Sequence, residues 1–114
     1  MMGRLPARLW IDAHLRLCNG QGMMAVIQHK GDRERGGILL HVDRLNGVGL
    51  LLEQTVDMDG RRFWRGLGPE SGLSDAEITE RIAKRRRMDP DLWVLVVEDP
   101  RGDHVLDDPV VFDR

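Results

Sequence analysis

The sequence predicts an α+β protein, with a mainly antiparallel sheet of about five strands and two helices in the order α-β-β-β-β-α-β. Three observations carry that expectation. Residues 6–20 and 74–88 hold helical start and stop signals. Between them, short apolar runs are separated by Asn46-Gly47 and Asp59-Gly60, dipeptides that favour tight hairpins because the turn positions need φ > 0. After them, residues 92–97 form a continuous apolar run between Asp89-Pro90 and Asp99-Pro100. Strands joined in sequence by tight turns make a meander, and helices covering it give a sandwich of two layers. The 114 residues fit a single domain, with residues 102–114 as a flexible or docking tail.

The first helix begins at Pro6, where a missing N–H costs nothing. Leu9, Ala13 and Leu17 recur at i, i+4 and i+8 with Trp10 beside them, an apolar stripe expected to face the core. Asn19-Gly20 offers a left-handed cap. Residues 23–30 are short, apolar and bounded by Gly22 and Gly31, and the polar loop GDRERGG follows. A two-residue turn at Asn46-Gly47 would pair Leu45 with Val48 and Val42 with Leu51. The same device at Asp59-Gly60 would set Asp57 opposite Arg62.

The second helix has the sharpest start. Ser74 as N-cap and Glu77 three residues later make a capping box, and Leu73 and Ile78 fit the hydrophobic staple around it. Acids fill its first turns and bases its last, matching the helix dipole. Pro90 disfavours helical geometry at Asp89, so the helix should stop by about Met88. The run at 92–97 is then a strand covered on both faces, with Trp93 as its largest anchor. Asp91 and Asp99 would stand ~26 Å apart on an extended strand, too far to act together, and are expected to lie in water at its ends. Val110, Val111 and Phe112 would form a short edge strand or dock as a tail.

Charge is unevenly spread. Residues 61–87 carry eight basic and four acidic side chains, whereas residues 88–114 carry two basic and eight acidic ones. These blocks offer association surfaces. The single Cys18 excludes a disulfide framework and fits a reducing compartment. Arg4 and Arg8 interrupt the one apolar stretch near the start, which argues against a signal peptide, and no run is long enough to span a membrane. A cytoplasmic location is expected.

Catalytic and cofactor motifs do not survive inspection. Gly20-Gln21-Gly22-Met23-Met24-Ala25 has the spacing of a dinucleotide loop but lies after a helix and before a strand, the reverse of what a phosphate site needs. The glycine loop at 66–73 precedes a helix, yet Glu70, Asp75 and Glu77 already crowd its positive end. His14, His29, His41 and His104 fall on four separate segments, so a zinc site would have to be assembled by the fold. Asp57-Met58-Asp59-Gly60 lacks the later ligands of a calcium loop. No catalytic residue, cofactor or metal is therefore assigned.

One stretch has the character of a polyanion surface. Arg61, Arg62 and Arg65 bracket Phe63 and Trp64, and Lys84, Arg85, Arg86 and Arg87 end the second helix. Cations beside an aromatic face combine phosphate contacts with base stacking. The candidate binding residues are accordingly Arg61, Arg62, Trp64, Arg65, Lys84, Arg85, Arg86 and Arg87. The leading expectation is a non-catalytic domain acting by protein–protein or self-association. Binding of RNA or DNA through the basic-aromatic face is the alternative, and an enzyme whose site the fold assembles is the third. No membrane partner is expected.

The string DPDLWVLVVED at 89–99 resembles the C-terminal signature, DPDLWVxxxED, of a family of small alphaproteobacterial proteins known as a domain of unknown function. The Leu9-Trp10 helix, Gly22-Met23-Met24-Ala25-Val26 and the run from Gly36 to Val42 fit the same order, so the resemblance spans about residues 5 to 100. It implies a bacterial cytoplasmic protein of α+β build. It brings no activity, substrate or cofactor with it.

Overall fold

The computed structural model describes residues 6–102, 104 and 106–112. Their elements are α1 (Ala7–Gly20), β1 (Ala25–His29), β2 (Ile38–Asp43), β3 (Val48–Val56), β4 (Arg62–Gly66), β5 (Leu73–Ser74), α2 (Asp75–Met88), β6 (Trp93–Glu98) and β7 (Val110–Phe112). No helix among them is long and apolar enough to cross a membrane.

The α+β class holds, but the sheet is mixed and has seven strands rather than about five. Its order is β1-β6-β2-β3-β4-β7, with β5 also paired to β3. The hairpins β2–β3 and β3–β4 are antiparallel, as tight turns require. The departure comes from β6. It returns after α2 and inserts between β1 and β2, antiparallel to the first and parallel to the second. A strand delivered by a helical crossover is free to run parallel, and turn dipeptides carry no information about where it inserts. At the far edge β7 pairs parallel to β4, so part of the tail is an edge strand.

Three layers form rather than two, because the helices cover opposite faces. Ile38, Leu40, Val42, Leu52, Trp64, Trp93, Leu95 and Val97 pack with Ala7, Ile11 and Cys18 of α1. Leu39, Leu51, Leu92 and Val94 pack with Leu73, Ile78 and Ile82 around α2. Alternate residues of β2, β3 and β6 are apolar on both sides, so each face needs its own cover. Trp93 is fully buried at 0% exposure, as the continuous run 92–97 implies. Its indole Nε1 donates to the carbonyl of Asp32 at 2.6 Å. The GDRERGG loop lies over that ring. A Cβ at Gly31 or Gly36 would stand 2.7 Å from the indole and 2.1 Å from the Asp91 carbonyl, so the loop's glycines permit the close approach.

Both hairpin registers differ by one residue from expectation. Val42 faces Leu50, not Leu51, and Arg44 bonds Val48 across a three-residue loop in which Leu45 takes φ 60°. Arg62 faces Val56, while Asp57 faces Arg61. The Asp57 carboxylate accepts the N–H groups of Asp59 and Arg61, both at 2.9 Å, which holds the longer loop. The first helix also closes later than Asn19-Gly20 implies. Gly22, at φ 81°, is the left-handed residue, and Met23 N–H bonds Cys18 O while Gly22 N–H bonds Asn19 O. That pair of bonds is a Schellman closure. The second helix starts as its sequence specifies: Glu77 N–H bonds Ser74 Oγ and Ser74 N–H bonds the Glu77 carboxylate.

Candidate functional site

The first helix has two distinct faces. Its buried residues are Ala7, Ile11, His14 and Cys18, not the Leu9-Ala13-Leu17 stripe. Leu9 is 56% and Leu17 is 43% exposed, with Ala13 exposed between them. The helix therefore turns a polar-bearing face inward and an aliphatic stripe outward. The sheet prefers the inner face because Ile11 and Ala7 fit against Trp93 and its neighbours, and His14 and Cys18 find partners there.

Those partners come from the chain beyond β6. Pro100, Arg101 and Gly102 turn the chain after Asp99, and His104 is carried back over the α1 side of the sheet. His14 Nε2 and His104 Nε2 lie 3.3 Å apart, and Cys18 Sγ lies 3.7 Å from His104 Nδ1. One donor atom from each of the three residues falls within 4.8 Å of the other two. Trp10 stacks on the His14 ring at 4.5 Å, and the His104 ring meets it edge-on at 4.9 Å. Trp10 in turn packs on Trp64 at 5.2 Å.

Asp99 supports this cluster. The expectation that it lies in water fails: it is 2% exposed. Its Oδ2 accepts the backbone N–H of His104 at 3.1 Å and Arg44 Nη1 at 3.4 Å. The hydrogen bond fixes the backbone that carries the His104 ring. Asp91, at the other end of the strand, is exposed.

Burial sets the protonation states. It pushes His14 down to about 4, with the neighbouring His104 adding to the shift and Asp107 opposing it. His104 is also lowered by burial, against the pull of Asp99. The Cys18 thiol is raised, by burial first and then by the Asp99 charge. At neutral pH the site thus presents two neutral imidazoles and a protonated thiol. Such a thiol is a poor nucleophile. Neutral imidazole nitrogens and a thiol that a metal deprotonates are the donor set of a borderline divalent ion.

His104, Asp99 and Arg44 also line a cleft of about 670 Å³ between β2–β3 and the segment leading to β7, floored by Leu50 and Leu52. On the α2 side, His41, Asp43 and Asp75 form a second cluster within 4.8 Å. The His41 Nε2 there is buried without a hydrogen-bond partner among the described residues.

The basic-aromatic candidates are not one surface. Trp64 is 1% exposed in the α1-side core, so it offers no face to a base. Arg62 sits 3.6 Å from Asp108 on that side. Arg65 crosses to the α2 side and meets Glu53 at 3.0 Å, where Arg85 also pairs with Glu53. Arg61, Lys84, Arg86 and Arg87 are exposed. The fold unites Arg65 with Arg85 and separates both from Arg62. His14 and Cys18 stand at i, i+4, a spacing that places them on one helix face and is the local signal for the pair. Nothing local to His104 announces that it completes the group, 86 residues beyond Cys18.

The arrangement defines a small three-layer α+β protein with a polar cluster under one helix. The chain belongs to the family described as "Protein of unknown function (DUF1491)", whose sequence pattern matches residues 5–107. It is similar to a DUF1491 family protein from Caulobacter crescentus CB15, known from a crystal structure: the TM-score is 0.85 and the identity 31%, over 95% of this chain and 100% of that one. An NMR structure of a DUF1491 family protein from the same organism gives a TM-score of 0.80 at 32% identity, over 96% and 99%. The solution structure of Atu0922 from A. tumefaciens shares the fold, with a TM-score of 0.77 at 22% identity over 98% of each chain. No curated protein matches the chain.

Proposed function

We propose that the chain is a non-catalytic cytoplasmic domain that associates with a second copy of itself through the outer face of α1. The observation that carries this is the exposed row Leu9, Ala13 and Leu17. Aliphatic side chains at i, i+4 and i+8 on a solvent-facing helix gain by burial against another helix. The row reads the same in both directions. In an antiparallel pair Leu9 would meet Leu17 of the other copy, and the two Ala13 residues would allow close approach of the helices. A second copy is the occupant that matches such a pattern without further assumption. The buried, protonated Cys18 and the use of Ser74 as a helix cap support a role without nucleophilic chemistry. The free cysteine supports the cytoplasm as its compartment.

Sedimentation velocity across a concentration series, at low and high salt, tests the proposal. The wild type should show a reversible dimer that persists at high salt, because apolar contact is not screened. Leu9→Glu with Leu17→Glu should sediment as a folded monomer. A wild-type monomer at both salt concentrations would remove the proposal.

Polyanion binding keeps one supporting observation, the exposed Arg61, Lys84, Arg86 and Arg87. Without Trp64 as a stacking surface, it would be electrostatic and would weaken steeply with salt. Titration with mixed single strands at low salt decides it.

A further inference from the structure

We propose that His14, Cys18 and His104 form a binding site for one divalent transition-metal ion of the zinc class. The inference rests on the inner face of α1 and is independent of what covers the outer one. Two histidines and a cysteine, drawn from a helix and a distant loop, bring one donor atom each within 4.8 Å of the others. The His14 Nε2 to His104 Nε2 separation is 3.3 Å. A tetrahedral ion with Zn–N bonds of about 2.0–2.1 Å sets two imidazole nitrogens about 3.3–3.4 Å apart. The thiol lies 3.7 Å from the other His104 nitrogen, Nδ1, so this contact and the Nε2–Nε2 separation are not two edges of one coordination tetrahedron. His104 directs one nitrogen at each neighbour, and an ion takes one of the two.

The surroundings fit a metal centre in three ways. His14 and Cys18 share a helix face, so their spacing is held by α1 itself. Trp10 stacked on His14 fixes the plane of that ring. Asp99, buried and bonded to the His104 backbone N–H, is a positioning residue that fixes the third ligand's segment. With three protein donors, the fourth position is left to solvent from the cleft that His104 also lines. Binding releases the thiol proton to solvent as the thiolate joins the ion, so the charge balances without any oxidant or reductant.

The second cluster, His41 with Asp43 and Asp75, supplies one nitrogen and two carboxylates and serves as the internal control. Cobalt(II) distinguishes the two. A cobalt–thiolate bond gives a near-ultraviolet charge-transfer band, which an oxygen-rich site does not.

The test is a cobalt titration of the full chain after chelator treatment, with zinc as competitor. One cobalt per chain should bind with a charge-transfer band and tetrahedral visible absorption, both abolished by one equivalent of zinc. Cys18→Ser should lose the charge-transfer band. His104→Ala should weaken binding by more than the ~10–100-fold typical of an outer-shell change. Asp99→Asn should weaken it by about 10- to 100-fold with the band position unchanged. His41→Ala should change nothing. Should Cys18→Ser fail to fold, zinc-dependent thermal unfolding decides instead: the midpoint should rise in wild type and stay fixed in His104→Ala, with magnesium inert in both. A folded wild type that binds cobalt without the charge-transfer band, or that loses its cobalt in His41→Ala, overturns the proposal.

Discussion

The two faces of the sheet are built from different materials. On the α2 side the core consists of Leu39, Leu51, Leu73, Ile78, Ile82, Leu92 and Val94. On the α1 side the aliphatic positions continue, but Trp64, Trp93 and Cys18 join them, and His14 and Asp99 are buried beside them. Attaching a helix to a sheet needs only the first kind of face. Imidazoles, a thiol and a carboxylate bury less apolar surface per volume and must each be given a hydrogen-bond partner. Under α1 two imidazoles and a thiol pack against one another beside a buried carboxylate, whereas on the α2 side half-buried His41 stands with Asp43 and Asp75 outside the aliphatic cluster. The outer faces differ as well: α2 ends in exposed cations, and α1 carries an aliphatic row.

The largest effect should come from the anchor at the centre. Trp93→Ala should destabilise the chain by about 3–5 kcal/mol in denaturant unfolding. It removes the largest buried side chain of β6 and leaves the Asp32 carbonyl without its indole donor. Ile82→Ala on the α2 side should cost about 2–5 kcal/mol, because a plain aliphatic cavity opens there. A Trp93→Ala chain as stable as wild type would show that the α1-side core is not continuous through β6.

A pH scan separates the faces more sharply. The folded chain holds His14 at about 4, whereas an unfolded histidine titrates near its ordinary 6.5. Between those values the unfolded state binds a proton that the folded state refuses. Stability should therefore be full above about pH 6.5 and fall as pH drops toward 4. A shift of that size corresponds to a loss on the order of 3 kcal/mol. The lowered His104 acts in the same direction. Denaturant unfolding with chelator at pH 7 and pH 4.5 measures the loss, and His14→Gln should reduce it to the share that His104 carries. Equal stability of wild type at both pH values would mean that burial of the pair carries no proton linkage.

Legibility in the sequence followed the range of the forces involved. The capping box of α2 and the two-sided burial of β6 rest on residues a few positions apart, and both are present as read. The hairpins were legible as hairpins but not to the residue. Loop bonds such as Arg44 N–H to Val48 O and Asp57 N–H to Arg61 O lengthen each turn by one, and a one-residue slip moves every side chain to the other face. The orientation of α1 is not legible locally, because Leu9-Ala13-Leu17 and Ala7-Ile11-His14-Cys18 are both helical rows and the second is the buried one. Apolar content favours the first, while the partners that decide the matter lie on β6 and beyond it. The site was half visible as His14 and Cys18. His104 reaches them only after β6 has inserted between β1 and β2, a choice made by the whole sheet.

The smallest effect tests the α2 side on its own terms. Ser74→Ala removes the acceptor for Glu77 N–H and should cost about 1 kcal/mol. The reciprocal bond from Ser74 N–H to Glu77 uses backbone and survives the substitution. The Ser74 N–H first, and its hydroxyl second, hold the Glu77 carboxyl below the usual carboxylate range. Glu77 therefore stays ionised at pH 7 and at pH 5 alike. The loss on Ser74→Ala should be the same at both, unlike the loss tied to His14. Neither should metal change it, since α2 packs on the face opposite His14, Cys18 and His104. If the Ser74→Ala penalty instead grew with falling pH, the two faces would be energetically coupled through the sheet. The separation of a structural side from a chemical one would then fail.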